Sequence, residues 1–319
     1  MRVALIGGTG FVGSYLVDAL AEAGHTPVVL VRRGSESRLR HADVCELVSG
    51  ELADAAAIEQ MLQGADAVIY NVGILREHPR RGITFDELQR AAPIRVIDAA
   101  KRAGVKRFLL MSANGVDAAG TPYQASKLAA EQHLWQSGLE ATVFRPSVIF
   151  GDPRGRDEFA SALARDIIAS PLPAPLFFDG LNPFEAGSFA LSPVHVSDVA
   201  AAFVRSLQAP ETIGRTLELG GPETLSWRAI LQRLAEATGR RKLMLPAPAI
   251  GISAAAALLE RFEFFPITRD QLHMLLQGNT CSDDALRELG VQARPFDSEH
   301  LAYLSDIIEA SSGCRNNAA

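Results

Sequence analysis

Three residues near the middle of the chain have the types and spacing for proton transfer to a carbonyl. Tyr123 and Lys127 stand four apart in Thr121-Pro122-Tyr123-Gln124-Ala125-Ser126-Lys127, and Ser112 closes the apolar run that precedes them. On a helix, residues i and i+4 share one face. A phenol titrates near pH 10, so exchanging a proton near neutrality requires its pKa to fall by roughly 3 units, about 4 kcal/mol. A lysine ammonium a few ångströms away in a shielded site acts in that direction. The expected roles are a proton from Tyr123, a charge from Lys127 and a hydrogen bond from Ser112 to the substrate oxygen. A tyrosine and lysine at this spacing are common on amphipathic helices, so the surroundings decide what the pair means.

Those surroundings begin at the N-terminus. A short apolar run, Val3–Ile6, leads directly into Gly7-Gly8-Thr9-Gly10-Phe11-Val12-Gly13 and then into a helical pattern. Glycine belongs where a chain turns sharply, where backbone must approach a pyrophosphate, and where a helix packs on a strand. The unpaired N–H groups and positive end of the helix then hold the phosphates. Gly7, Thr9, Gly10, Phe11, Val12 and Gly13 are therefore expected at a dinucleotide, with Lys127 also reaching its nicotinamide ribose. A ribose-binding acid is expected about 20 residues further on. The second run instead ends Leu30-Val31-Arg32-Arg33-Gly34-Ser35, with no carboxylate before Glu36. Guanidinium groups match a 2′-phosphate, which a carboxylate would repel. Arg32 and Arg33 thus favour NADP(H), with NAD(H) the alternative.

The elements needed to position these residues follow from the periodicity. Strands are expected over Val3–Ile6, Pro27–Val31, Cys45–Val48, Ala67–Asn71, Arg107–Ser112 and Ala141–Arg145. Helices are expected over Phe11–Ala23, Ala56–Leu62, Phe85–Ala103 and Tyr123–Gln136. Such alternation gives an α/β fold, a doubly wound parallel sheet (Rossmann fold), because parallel strands need helical crossovers. The expected organisation is a dinucleotide-binding domain over 1–150 and a smaller mixed substrate or partner part over 151–310, interleaved with the first. A disordered tail is expected over 311–319. In the second part a strand (Thr216–Leu219) and helices (Asp198–Leu207, Trp227–Ala237, Arg269–Leu276) are separated by proline-rich stretches.

Composition narrows the function. With 319 residues, 48% hydrophobic and 21% charged, the chain is globular, and a net charge of −6 argues against nucleic-acid binding. The four apolar residues at the start are too few for a signal peptide, and no uncharged run reaches the roughly 20 residues a spanning helix needs. Three cysteines and seven histidines show no metal-type spacing. A cytoplasmic protein without a structural metal is expected.

Taken together, these residues resemble the short-chain dehydrogenase/reductase superfamily in its extended form, over nearly the whole chain. By that resemblance Gly50-Glu51-Leu52-Ala53-Asp54 meets adenine, so that Glu51 and Leu52 contact the cofactor. Asn71, Val72 and Gly73 line it after the fourth strand. Arg145-Pro146-Ser147-Val148-Ile149-Phe150-Gly151 places Pro146 and Val148 beside the nicotinamide, and His195 in Pro193-Val194-His195-Val196 is structural. Asn71–Glu77, Leu219–Pro222 and Thr268–Leu272 are similar to the atypical, NAD-dependent epimerase/dehydratase-like branch that contains the NADPH-binding accessory subunit of respiratory complex I and its bacterial relatives. The resemblance implies either an oxidoreductase or epimerase acting on an unidentified small carbonyl or hydroxyl substrate, or a non-catalytic NADPH-binding protein of a respiratory or membrane-associated complex. The helices after the fourth and fifth strands commonly pair between subunits in this superfamily, which leaves an oligomer open. The apolar segment 247–265 either packs within the second part or meets a lipid, an apolar substrate or the inner face of a membrane. Arg76-Glu77-His78-Pro79-Arg80-Arg81 either contacts an anion or forms a solvated loop.

Overall fold

The computed structural model describes residues 1–39, 41–180, 182–259, 267–281 and 284–316. Seven runs rich in valine, leucine and isoleucine form β1 (Arg2–Ile6), β2 (Thr26–Val31), β3 (Glu46–Ser49), β4 (Ala67–Tyr70), β5 (Arg107–Met111), β6 (Glu140–Pro146) and β7 (Arg215–Leu219). Their order is β7-β6-β5-β4-β1-β2-β3, and every neighbouring pair is parallel. β4 and β5 are buried at every position, which is why β4, and β5 after its opening Arg107, read as continuous apolar runs and not as alternation. The chain builds outward from β1 through β2 to β3, then returns to β1 and builds through β4 in the other direction. At such a reversal the loops leaving the carboxyl ends of the two central strands part and open a crevice.

The crossovers are α1 (Phe11–Glu22), α2 (Ala55–Leu62), α3 (Ala92–Arg102) and α4 (Pro122–Gln136), and α5 (Val196–Ser206) packs with α1. The helix expected from Phe85 is interrupted: Asp86–Ala91 is a π turn before α3. Pro93 supplies the reason, since it has no N–H to give to Leu88 O, its π-type partner, and its ring crowds an α-helical carbonyl. The Tyr70 hydroxyl takes that role, donating to Leu88 O at 2.6 Å.

Two compact units result, Met1–Pro146 with Val196–Leu219 and Asp283–Gln292, and Ser147–His195 with Gly220–Ser282 and Ala293–Ala319. The first unit takes in a strand that the sequence shows only as isolated. β7 continues the main sheet beside β6, from Arg215 opposite Thr142 to Leu219 opposite Pro146. α5 lies in the same unit, with Phe203 stacked on Phe144 at 4.0 Å between ring centroids. The second unit has its own core around Trp227, which lies near-parallel to Phe177 and Phe189 and donates its indole N–H to Pro175 O at 2.9 Å. Of the apolar segment 247–265, Ala249–Leu259 is helical and 260–266 fall outside the described residues. Of the expected tail, the helix Tyr303–Asn316 takes in residues 311–316, and 317–319 fall outside the described residues. No described helix is long and apolar enough to cross a membrane.

Candidate active site

β1 runs directly into the glycine turn. Gly7 has φ +93, where residues with a Cβ are rare, and a Cβ there would lie 2.7 Å from Asn71 O. A Cβ on Gly13 would lie 2.0 Å from Gly7 O, so the first turn of α1 packs against the turn that leads into it. Gly10 caps α1 without a side-chain hydrogen bond, and no acidic residue stands in the first helical turn. The N–H groups that every helix leaves unpaired at this end therefore face no competing carboxylate of their own. Thr9, Phe11 and Val12 are half-buried around the same turn. A pyrophosphate suits this turn, whose close backbone packing leaves no room for side chains at Gly7 and Gly13.

The second strand delivers Arg32 and Arg33 to its carboxyl end, exposed and without an ion-pair partner among the described residues. After β3, Gly50 and Asp54 serve local structure. A Cβ on Gly50 would lie 2.3 Å from Ala57 Cβ, and the Asp54 carboxylate caps α2 by accepting from Ala56 and Ala57 N–H. Glu51 is exposed and Leu52 half-buried. Asn71 N–H donates to Ile6 O at 2.9 Å, extending the β1–β4 pairing by one bond and bringing Asn71, Val72 and Gly73 alongside the glycine turn.

α4 is fixed at its start by Thr121 and Gln124, which cap each other's backbone, and by Pro122 in its first turn. Lys127 is buried, and its ammonium donates to Val72 O at 3.2 Å and Met111 O at 3.0 Å. It thus ties α4 to the ends of β4 and β5 and has one further N–H to give. Ser112 follows Met111. Its N–H donates to Phe144 O at 2.8 Å, whereas its hydroxyl is buried with no hydrogen-bond partner among the described residues. Tyr123, one turn before Lys127, is half-buried with its ring edge-on to Phe85 at 5.8 Å. No hydrogen bond joins Ser112, Tyr123 and Lys127 directly among the described residues.

The proton affinities depart from the sequence expectation. Burial pushes the Tyr123 phenol up to about 12, where a lowered phenol was expected. Burial also pulls the Lys127 ammonium down to about 8, against the opposing pull of Glu131. The physical reason is that both groups lie in low dielectric, which favours their neutral forms, and the lysine directs its charge to two backbone carbonyls.

Pro146 ends the first unit, and its carbonyl accepts from Asn114 N–H at 3.0 Å. Val148 belongs to the second unit, where its carbonyl accepts from Val194 N–H at 2.9 Å beside the short pairing of Val194–His195 with Ile149–Phe150. His195 is pulled down to about 4 by burial, with Arg294 and His300 adding to the effect. Its imidazole is therefore neutral at pH 7. In the loop after β4, Glu77 accepts from Phe85 N–H at 2.7 Å, while Arg80 and Arg81 are exposed on a 3₁₀ turn.

Two features were missed from sequence. Gln89, buried on the π turn, donates to Ile74 O at 2.8 Å and accepts from the Ser126 hydroxyl at 3.1 Å. It links the loop after β4 to α4, and nothing in its spacing distinguishes it. Glu131, also buried, pairs with Arg145 through contacts of 3.0 and 2.5 Å. Its signal was present, since residues 123, 127 and 131 continue one i, i+4 row.

Comparisons with known proteins agree with a nucleotide-binding fold. The NAD(P)H-binding family matches residues 7–165. Ceramide reductase of Caulobacter vibrioides is 27% identical over 258 residues, 81% of this chain and 77% of that protein. The mitochondrial NADH dehydrogenase (ubiquinone) 1 alpha subcomplex subunit 9 of Arabidopsis thaliana is 28% identical over 295 residues, 88% of this chain and 70% of that protein. Among solved structures, UDP-glucose 4-epimerase of Thermus thermophilus in complex with NAD superimposes with a TM-score of 0.72 at 20% identity, covering 98% of this chain and all of that one.

Proposed function

The chain belongs to the extended short-chain dehydrogenase/reductase superfamily and carries an NAD(P)H-binding domain, and from that premise we propose that it is an NADP(H)-dependent oxidoreductase or epimerase acting on a carbonyl or hydroxyl. The observation that carries this reading is the buried, unpartnered Ser112 hydroxyl at the carboxyl end of β5. A buried hydroxyl without a partner costs about 1–3 kcal/mol, a cost that makes sense where a substrate oxygen is to be bound. Arg32 and Arg33 hold the 2′-phosphate, the turn from Gly7 to Gly13 holds the pyrophosphate, and Glu51, Leu52, Asn71, Val72, Gly73 and Pro146 form the remaining walls. When bound, the nicotinamide supplies or accepts the hydrogen and electron pair at carbon. Ser112 positions the oxygen, and Lys127 gives its third N–H to the ribose. Tyr123, protonated at neutral pH with its phenol near 12, delivers a proton in the reducing direction. Oxidation requires its deprotonated form and so gains with rising pH. The relative named ceramide reductase makes long-chain carbonyl compounds the first class to screen.

A second reading is supported by one observation: the Lys127 ammonium is committed to two backbone carbonyls, so that it ties α4 to the segment after β4 and to the end of β5 instead of turning its charge to the Tyr123 phenol. In that reading the chain is an NADPH-holding accessory or assembly protein of a respiratory or membrane-associated complex, in line with the relative named as a subunit of NADH dehydrogenase. Cofactor exchange separates the two. The chain is loaded with NADPH, chased with excess NADP⁺ and followed by nicotinamide fluorescence. Release within seconds is expected of an enzyme, and release over hours would favour the structural role.

A further inference from the structure

The second unit carries a group of exposed leucines that neither reading of the nucleotide site uses. The strands Ala174–Phe178 and Met244–Pro248 run parallel, with Met244 beside Ala174 and Leu245 beside Pro175. Leu243 O accepts from Ala174 N–H at 2.8 Å, which extends the pair by one residue. Along this second stretch exposure alternates: Arg241, Leu243 and Leu245 are exposed, while Lys242 and Met244 are half-buried. Met244 packs on the unit's core, so the opposite side of the strand faces solvent. Leu243 is 64% exposed and Leu245 46%, and Leu172, two residues before Ala174, is 71% exposed. The Lys242 ammonium donates to Ser170 O and holds the two stretches together where Leu172 emerges. A single exposed leucine needs no explanation, but three gathered at one end of a strand pair, beside a run of cations, do.

The charges around these leucines are of one sign. Arg240, Arg241 and Lys242 immediately precede Leu243, and no acidic residue occurs from Thr238 to Leu259. The partner stretch from Ile167 to Phe178 has no charged residue at all. The nearest described acids in sequence are Asp166, paired with Arg165, Asp179 at the far, carboxyl end of the strand pair, and Glu236 on the helix before the cations. A chain of net charge −6 thus gathers three positive charges at one apolar edge. That combination suits a surface that is anionic outside and apolar beneath, as a bilayer with acidic headgroups is. An added strand does not suit it. Because Leu243 turns its backbone to the partner strand, residues 244, 246 and 248 turn theirs to the free edge. Pro246 and Pro248 have no N–H to offer there, so the edge is closed to further pairing.

We propose that this end of the second unit docks the protein on an anionic lipid surface. Leu172, Leu243 and Leu245 enter the acyl boundary, and the exposed Arg240 and Arg241 stay among the headgroup phosphates. Docking of this kind needs neither turnover nor bound nucleotide, and it holds for the enzyme and for the accessory protein alike.

The test is flotation of the full-length chain with vesicles of phosphatidylcholine alone and of phosphatidylcholine mixed with phosphatidylglycerol. The wild type should float with the mixed vesicles and stay largely free with phosphatidylcholine alone. It should be released as salt is raised to about 1 M, where charges are screened within about 3 Å. Arg240→Gln with Arg241→Gln should weaken partitioning at least tenfold, at about fivefold for each cation near an anionic surface. Leu243→Gln with Leu245→Gln should weaken it about tenfold, for two partly exposed leucines that no longer leave water. Lys101→Gln with Arg102→Gln removes the same charge from the exposed end of α3 in the other unit and should change nothing. All six side chains are exposed, so each variant should fold with the Tm of the wild type. Absence of wild-type flotation with the mixed vesicles would overturn the proposal. So would an equal loss in the Lys101 and Arg102 variant, which would mean a diffuse charge effect, or full binding by the leucine variant, which would mean contact by charge alone. A lipid-free wild type that sediments as a dimer, with a monomeric leucine variant, would assign the face to a second copy of the chain and overturn it as well. NADPH titration of the arginine and leucine variants should match the wild type. A chain that never turns over substrate could still pass this test, so failure of the docking is distinguishable from failure of the enzymatic reading.

Discussion

Replacing Ser112 with alanine should stabilise the free protein while removing its activity. The hydroxyl belongs to a residue that is 3% exposed, and it has no partner among the described residues, so its desolvation cost of about 1–3 kcal/mol is not offset in the unliganded chain. Alanine removes that cost and leaves a void the size of one oxygen, worth a few tenths of a kcal/mol at about 24 cal/mol per Å³. The net expectation is a gain of about 1 kcal/mol, or about 2–4 °C in Tm for a unit of this size. Turnover should fall about 10²–10³-fold, the usual loss when one donor to a reacting oxygen is removed. A control lies in the same unit. The Ser206 hydroxyl is equally buried and likewise has no partner among the described residues, but its residue sits at the clamp where buried Arg107 donates to Ser206 O, Thr142 Oγ1 and Thr212 Oγ1. Ser206→Ala should bring a similar gain in Tm and leave turnover unchanged. Calorimetry without nucleotide, paired with NADPH oxidation over a panel of long-chain carbonyl compounds, reads both effects. A Ser112→Ala protein that is less stable and equally active would mean that the Ser112 hydroxyl is satisfied structurally and does not bind substrate.

Two further outcomes follow from the cofactor cradle. Arg32→Ala with Arg33→Ala should weaken NADPH by one to two orders of magnitude and leave NADH nearly unaffected, as titration of nicotinamide fluorescence would show; an equal loss for both nucleotides would remove the case for the 2′-phosphate. Gly13→Ala puts a Cβ 2.0 Å from Gly7 O and 2.7 Å from Gly8 Cα, both backbone atoms that cannot swing aside. It should lower Tm by several degrees and abolish NADPH binding, whereas wild-type binding in this variant would mean that the turn holds no pyrophosphate.

Much of this architecture was legible because it depends on local pattern. The six expected strands and the glycine turn are set by apolar runs and by the φ requirement at Gly7, both visible in a short window of sequence. Ser112 was readable for the same reason, as the first polar residue after a buried run. What stayed hidden depends on contacts across the chain. β7 looks isolated in sequence, because only its pairing with β6, some 70 residues earlier, makes it part of the main sheet. The π turn depends on Pro93 acting together with Tyr70, from a different element. The Tyr123 phenol was expected to be lowered by its lysine, but a spacing of four residues states only that two side chains share a face. It does not reveal that the ammonium turns to Val72 and Met111, nor that burial then governs both proton affinities.

The proposed role of Tyr123 is to deliver a proton to a bound substrate oxygen. Its most direct test compares the wild type with Tyr123→Phe for NADPH affinity and for NADPH-dependent reduction of the best carbonyl substrate found. The phenyl ring keeps its edge-on contact with Phe85, so the fold and NADPH affinity should be retained while reduction falls by at least 10²-fold, the lower end of what a positioned acid contributes. Reduction at the wild-type rate by a folded, NADPH-bound Tyr123→Phe protein would show that Tyr123 is not the proton donor.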